Sequence, residues 1–431
     1  MEHFIVHPAR ALEGEIPVRG AKNAVLKAMA ASLLFDTPVE LTNMPQITDV
    51  AYMQALLAGL GVLVEKTGKR SIRFSVPADI ATTLDKDIAK SLRSSIVLAG
   101  PLLARAGAVT FPYPGGCVIG KRPIDLFLQG FQQLGARVHE AGGHFTLRAK
   151  HLKGADIFFR VVSVTATETL MMAAVRAEGT TVLRNAAREP EIPALAAFLN
   201  SCGARITGAG TDTVTIRGVK HLGARRRRFH IPPDRIEAGS FAILAALRGK
   251  RVRVTQCVPE HLRSLFAALA EAGVAVRLGP TWFEIKAPKR LRALNVQTRE
   301  YPGFATDFQA PFMVLLTQAK GISLMLETIY EGRLEYVNDL NRMGADIMLC
   351  DPHRAIVHGP TPLSGRTVES PDLRAGLAFM IAALVAAGSS EIRAVHHIDR
   401  GYERVEERLR HIGADVHRAA DDEKTKATPT K

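Results

Sequence analysis

The chain reads as an α/β protein of two domains, each built from three copies of a unit of about 70 residues. Two observations predict this. The first is a short motif in which a glycine follows an apolar residue and precedes small and apolar ones. It occurs as Leu60-Gly61-Val62, Leu134-Gly135-Ala136, Cys202-Gly203-Ala204, Ala272-Gly273-Val274, Met343-Gly344-Ala345 and Ile412-Gly413-Ala414. The glycines are 74, 68, 70, 71 and 69 residues apart. The second is a helix of small and apolar residues with almost no polar face, recurring at the same period. Its copies are 24–35, 94–106, 166–175, 238–247, 308–318 and 375–387.

Each element has a local reason. A glycine at the end of an amphipathic stretch stops a helix, because it alone enters the left-handed region without strain. The apolar residues after it begin a strand. Helices that are apolar all round are buried all round. Five of the six run into a glycine stop at Gly107, Gly179, Gly249, Gly321 and Gly388. Each unit therefore reads strand, buried helix, strand, amphipathic helix, strand pair. Three units about one axis put three buried helices inside a shell of sheets and outer helices. The expected boundaries are a discontinuous domain of 1–21 with 233–418, a second domain of 22–232, and a polar, disordered tail from 419 to 431.

Composition narrows the function. The formal net charge is +14, which suits an anionic ligand, nucleic acid or an acidic membrane surface. One Trp, six Tyr and no basic stripe interleaved with aromatics speak against nucleic acid. The longest apolar run, 375–388, is too short to span a bilayer. Cys117, Cys202, Cys257 and Cys350 lie far apart with no CxxC pair, which argues against a zinc site or disulfide framework and fits a reducing cytoplasm. No metal or other cofactor is expected.

Chemistry concentrates in the stretch Tyr113-Pro114-Gly115-Gly116-Cys117-Val118-Ile119-Gly120-Lys121-Arg122-Pro123-Ile124-Asp125. Glycines let the backbone approach a ligand. Cationic neighbours favour the thiolate of Cys117, and Arg122 offers a planar fork to phosphate or carboxylate. A loop that merely holds a free cysteine is the other reading, and both stand at this point. The starts of the buried helices carry Lys22-Asn23, Arg93, Thr165 and Thr167, Glu237, Asp307 and Arg374. Helix N-termini favour anions and disfavour cations, so Lys22, Arg93 and Arg374 point to ligand contact rather than capping.

These residues lie in motifs that resemble the UDP-N-acetylglucosamine enolpyruvyl transferases. The motifs are Arg19-Gly20-Ala21-Lys22-Asn23, Leu92-Arg93-Ser94-Ser95, the Cys117 stretch, Arg188-Glu189-Pro190-Glu191-Ile192, Pro233-Asp234-Arg235-Ile236-Glu237-Ala238-Gly239, Tyr301-Pro302-Gly303-Phe304-Ala305-Thr306-Asp307, Asp372-Leu373-Arg374 and Asp399-Arg400-Gly401-Tyr402-Glu403-Arg404. The resemblance runs from about residue 4 to 416. It implies the enolpyruvyl transferase fold, a two-domain inside-out α/β barrel. It also implies transfer of the enolpyruvyl group of phosphoenolpyruvate to the 3′-hydroxyl of UDP-N-acetylglucosamine, the first committed step of peptidoglycan synthesis.

On that resemblance Cys117 is the general acid and the target of the epoxide fosfomycin, and Asp307 acts on the acceptor hydroxyl. Lys22, Arg122 and Arg400 cradle phosphoenolpyruvate. Asn23, Arg93, Arg122, Pro123, Ile124, Asp125, Leu126, Ser163, Val164, Ile329 and Arg374 contact the nucleotide sugar. Thr165 stands where a glycine is usual, and Val161 and Thr48 stand where basic residues occur. These departures leave open a paralogue with another nucleotide acceptor, such as UMP. The run Arg225 to Arg228 reads as a solvated face or linker. Oligomeric state is not legible.

Overall fold

The computed structural model describes residues 2–115, 123–223 and 228–420. The described residues contain two hydrophobic cores. One joins Phe4, Val6, Leu12, Ile16 and Val18 to side chains between Ile236 and Val416. The other runs from Ala21 to Ile231. Six separate sheets surround them, three per core.

The first core owes its discontinuity to backbone pairing. Strand Glu2–Val6 is sandwiched antiparallel between Ser390–Arg393 and Val416–Ala420. Strand Leu12–Pro17 pairs in parallel with Gly249–Thr255. The returning strand Arg228–His230 pairs in parallel with Val39–Thr42 of the second core. Ala419 and Ala420, expected in the tail, instead pair with His3 and Glu2, because the N-terminal strand offers them a ladder; residues 421–431 lie outside the described residues.

The two crossings lie side by side. Gly20 and Pro233 form an antiparallel bridge, flanked by Ala21 N–H to Pro232 C=O at 2.7 Å and Asp234 N–H to Arg19 C=O at 2.8 Å. Gly20 is required there: a Cβ would fall 1.9 Å from the carbonyl oxygen of Asn43.

The six central helices lie where the pattern puts them. They are Lys22–Ala31, Ala99–Ala106, Val164–Ala174, Arg235–Arg248, Gln309–Thr317 and Leu373–Val385. Two start later than expected as α-helix, preceded by 3-10 turns Arg93–Leu98 and Thr306–Phe308. Pro101 and Pro311 explain this. A proline lacks the N–H and clashes with the carbonyl four residues back, so the turn before it tightens. Close packing marks the second core too: a Cβ on Gly100 would sit 2.2 Å from the Thr169 carbonyl oxygen.

All six repeat glycines, from Gly61 (φ 94°) to Gly413 (φ 93°), are left-handed, as a helix stop requires. The stops of the buried helices are less uniform. Gly107 caps at φ 71°, Gly249 is extended at −72°, and Gly321 lies inside strand Ala319–Leu326. No helix among the described residues is long and apolar enough to cross a membrane.

Candidate active site

The site lies where the starts of central helices from the two cores meet. Lys22 opens the first helix, and its backbone N–H donates to Asp234 Oδ2 at 3.0 Å. The other oxygen of Asp234 caps the helix Arg235–Arg248, accepting from Ile236 N–H at 2.8 Å and Glu237 N–H at 3.1 Å. One carboxylate thus ties a helix start of one core to a helix start of the other. The Lys22 ammonium lies 2.8 Å from Asp49 Oδ2, and Arg400 Nε donates to Asp49 Oδ1 at 2.9 Å.

Asp49 is 1% exposed and bridges a cation from each core. Burial raises its pKa, but Lys22 and Arg400 outweigh that and hold it below its ordinary value. Burial is also the main force on Lys22, lowering its pKa against the pull of Asp49.

Asp307 stands in the 3-10 turn before its helix. Its Oδ1 accepts from Arg374 Nε at 2.9 Å and from Arg333 Nη2 at 3.3 Å. Burial alone would raise its carboxyl, yet the two guanidinium groups hold it well below the usual carboxylate range. Arg374 is placed in turn by Asp372, which caps its helix through Arg374 N–H at 2.7 Å, and by Tyr402, whose hydroxyl accepts from Nη1 at 2.9 Å. The Tyr402 hydroxyl also meets Ser240 Oγ at 3.0 Å.

Behind Asp307, the buried carboxylate of Glu327 accepts from Thr306 Oγ1 at 2.7 Å, Ile329 N–H at 2.8 Å and Thr298 Oγ1 at 3.1 Å. It fixes the turn carrying Ile329 against the turn carrying Asp307.

On the second core, Arg93 Nη1 donates to the Pro114 carbonyl at 2.8 Å, and its guanidinium lies 5.8 Å from the Tyr113 ring. A helix start is thereby tethered to the segment leading toward Cys117. Cys117 and Arg122 lie outside the described residues. Asp125 opens the helix Asp125–Gln133 and pairs with Arg160. Ile124 is 4% exposed in the core, so only its backbone can face a ligand. Leu126 packs against that same core, and Pro123 is exposed. Ser163 caps the helix Val164–Ala174 through Ala166 N–H at 3.2 Å. Asn23 and Val164 are half-buried at their helix starts.

Lys22, Arg400, Asp307 and Arg374 are thus assembled near one junction of the cores. Asp49, Asp234, Glu327 and Arg333 were not singled out from sequence. Asp234 lies within the motif Pro233 to Gly239, whereas nothing in the sequence around Asp49 shows that it is buried. Nothing marked Glu327 or Arg333. Of the arginine run, Arg228 is in a strand and pairs with Glu40 at 3.2 Å; 225–227 lie outside the described residues.

The arrangement can hold a multiply charged anion against Lys22 and Arg400, with a permanently ionised carboxylate nearby. Residues 6–409 match the family model described as EPSP synthase (3-phosphoshikimate 1-carboxyvinyltransferase). A UDP-N-acetylglucosamine 1-carboxyvinyltransferase of Acidobacterium capsulatum is 45% identical over 422 residues, covering 97% of this chain and 96% of the relative. Another, of Solibacter usitatus, is 43% identical over 420 residues, covering 97% and 100%.

Two solved structures share the fold. The enolpyruvyl transferase NikO of Streptomyces tendae superposes with a TM-score of 0.87 at 23% identity, over 97% of this chain and 98% of that one. EPSP synthase of Acinetobacter baumannii gives 0.73 at 18% identity, over 97% and 100%. The chain belongs to the enolpyruvyl transferase family that includes EPSP synthase and the UDP-N-acetylglucosamine 1-carboxyvinyltransferases.

Proposed function

We propose that this chain transfers the enolpyruvyl group of phosphoenolpyruvate to the 3′-hydroxyl of UDP-N-acetylglucosamine, releasing phosphate, as a cytoplasmic step of peptidoglycan synthesis. The observation that carries the reading is the buried Asp49 bridge between Lys22 and Arg400, one cation from each core, next to an ionised Asp307. Phosphoenolpyruvate bears charge at both its phosphate and its carboxylate, and several fixed cations stabilise it better than one.

In the reaction the sugar oxygen bonds to C2 while the Cys117 thiol delivers a proton to C3. The hydroxyl proton passes Asp307 and goes to solvent water. The thiolate left on Cys117 then takes a proton back from C3, which expels phosphate from C2 and restores the double bond. Asp307, held by two guanidinium groups, is a better fixed negative charge than a strong base. It orients the hydroxyl and stabilises the proton as it departs. The two cores act as two domains, 22–232 and 1–21 with 233 onward, and the ligands draw them together.

Phosphate release is the direct test. It should require phosphoenolpyruvate and UDP-N-acetylglucosamine together. Activity with UMP and none with the sugar nucleotide would replace this reading with the paralogue.

Two further outcomes are expected. Fosfomycin should add one equivalent to Cys117. Cys202 and Cys257 are buried, and burial raises their thiols, that of Cys257 to about 11, so neither should compete. Cys350 is exposed and serves as the internal control. Mass spectrometry that finds label on Cys350 and none on Cys117 would overturn the assignment. Arg400→Ala should lower kcat/KM for phosphoenolpyruvate by roughly thirtyfold, the equivalent of about 2 kcal/mol for one charge-assisted contact. The KM for the nucleotide sugar should hardly move. Equal losses for both substrates would remove Arg400 from the phosphoenolpyruvate cradle.

A further inference from the structure

A second cluster of charge lies beside the crossings and has no part in the chemistry above. A pocket of about 210 Å3 is lined by Arg19, Lys69, Arg70, Glu403, Arg404, Glu407 and Arg408. Three parts of the fold meet in it. Arg19 is on the outgoing crossing, Lys69 and Arg70 form the turn between strands Leu63–Gly68 and Ser71–Ser75, and the rest come from the segment after Tyr402.

The internal pairing leaves positive charge over. Arg70 is matched by Glu403, which also accepts from Gln46 N–H at 2.8 Å. Arg408 is matched by Glu237 behind the pocket. Arg404 reaches Glu407 and Gln46 only at 3.4 Å each. Arg19 has its Nε buried without a hydrogen-bond partner, and no carboxylate lies within ion-pair distance of it or of Lys69 among the described residues. Five cations thus face Glu403, Glu407 and Glu237, two charges short of balance.

Arg404 is also strained, at φ 40° in a region that side-chain-bearing residues avoid. A buried guanidinium nitrogen without a partner costs free energy unless something accepts from it. Two guanidinium groups that are not fully matched, those of Arg19 and Arg404, offer planar forks suited to an oxyanion, and the Lys69 ammonium adds a third positive charge.

We propose that this pocket is a second anion site, distinct from the Lys22–Asp49–Arg400 cluster, that takes a phosphate-class oxyanion and bridges the two cores. Arg19, Lys69 and Arg404 hold the anion. Arg70 is shared between it and Glu403, so occupancy couples to the contact between the cores. The ligand is either free inorganic phosphate or the phosphoryl end of a nucleotide, and the two are separable.

The test is thermal unfolding of the full chain at fixed ionic strength, with chloride replaced in one arm by inorganic phosphate and in another by ADP. A ligand that binds only the folded state raises the midpoint, here by roughly 2–5 °C near saturation. In Arg19→Gln/Lys69→Gln the rise should fall to less than about half, while Arg400→Ala, which removes only what anion binding at the other cluster adds, should keep more than half of it. Arg404→Gln, at a half-exposed residue, should show the same loss and guards against misfolding of the double variant. A response to phosphate identifies the free ion, and a response to ADP alone identifies the nucleotide. If Arg19→Gln/Lys69→Gln and Arg404→Gln respond as the wild type does, or if neither ligand shifts the wild type, the site does not exist.

Discussion

Replacing Asp307 by asparagine should lower turnover about a thousandfold while leaving nucleotide-sugar binding nearly unchanged. The side chains are the same size, and the amide oxygen can still accept from Arg374 Nε, now at 2.9 Å, and from Arg333 Nη2 at 3.3 Å. What disappears is the charge. Two buried guanidinium groups then face the acceptor hydroxyl without a counter-ion, and a proton leaving that oxygen meets repulsion. Titration calorimetry with UDP-N-acetylglucosamine separates this from a folding defect, since binding should survive. Asp307→Glu restores the charge but displaces it by one methylene, and should fall between the two. Because Arg374 and Arg333 keep Asp307 ionised far below neutrality, the acid limb of the pH–rate profile above pH 5 should not report this residue. An asparagine variant within about tenfold of the wild type would show that the hydroxyl needs no carboxylate.

The architecture was largely legible because it repeats. A glycine at φ near 90° recurs after each outer helix, from Gly61 to Gly413, and only a repeated structural unit demands that. The apolar central helices were equally plain: in the helix Leu373–Val385, every residue from Arg374 to Leu384 is buried. Sequence pattern blurred where hydrogen bonding, not hydrophobicity, sets the boundary. Pro101 and Pro311 convert helix starts into 3-10 turns, and a ladder with Glu2 and His3 carries the last strand to Ala420.

Part of the candidate site was legible where a cation stood at a helix start, because such a cation conflicts with the helix dipole and calls for a ligand or an acid. That logic found Lys22 and Arg374. It did not find the acid that answers Lys22, nor the buried carboxylate that holds the turn of Asp307. Asp49 and Glu327 come from separate parts of the chain, and only the fold brings Asp49 within 3 Å of both Lys22 and Arg400. Buried carboxylates such as Glu327 look in sequence like surface charge. The same blindness hid Lys27 and Glu168, which lie on two helices read as apolar.

Lys27 and Glu168 form an ion pair at 3.2 Å inside the second core, between the helices Lys22–Ala31 and Val164–Ala174, 5% and 0% exposed. Breaking it from one side should be severe: Lys27→Met should destabilise the fold at pH 8 by about 3–5 kcal/mol, because Glu168 is left buried with no counter-charge. In a core of this size that corresponds to a fall of roughly 10 °C in midpoint. Lys27→Met/Glu168→Leu should recover most of the loss, since an apolar pair of similar volume avoids the desolvation cost altogether.

The pH dependence has a definite sign. Burial raises Glu168 to about 7 against the opposing pull of Lys27, with Glu191 and Glu189 adding to the rise. The folded state therefore holds the proton more tightly than the unfolded chain. The stability this contributes is complete below the ordinary Glu value near 4.5 and is lost as pH climbs through about 7, a change on the order of 3 kcal/mol. Glu168→Gln should flatten that window, and Lys27→Met should extend it upward. Denaturant midpoints measured from pH 5 to 9 decide the matter. A Lys27→Met protein as stable as the wild type at pH 8 would mean that a bound proton, not the lysine, neutralises Glu168.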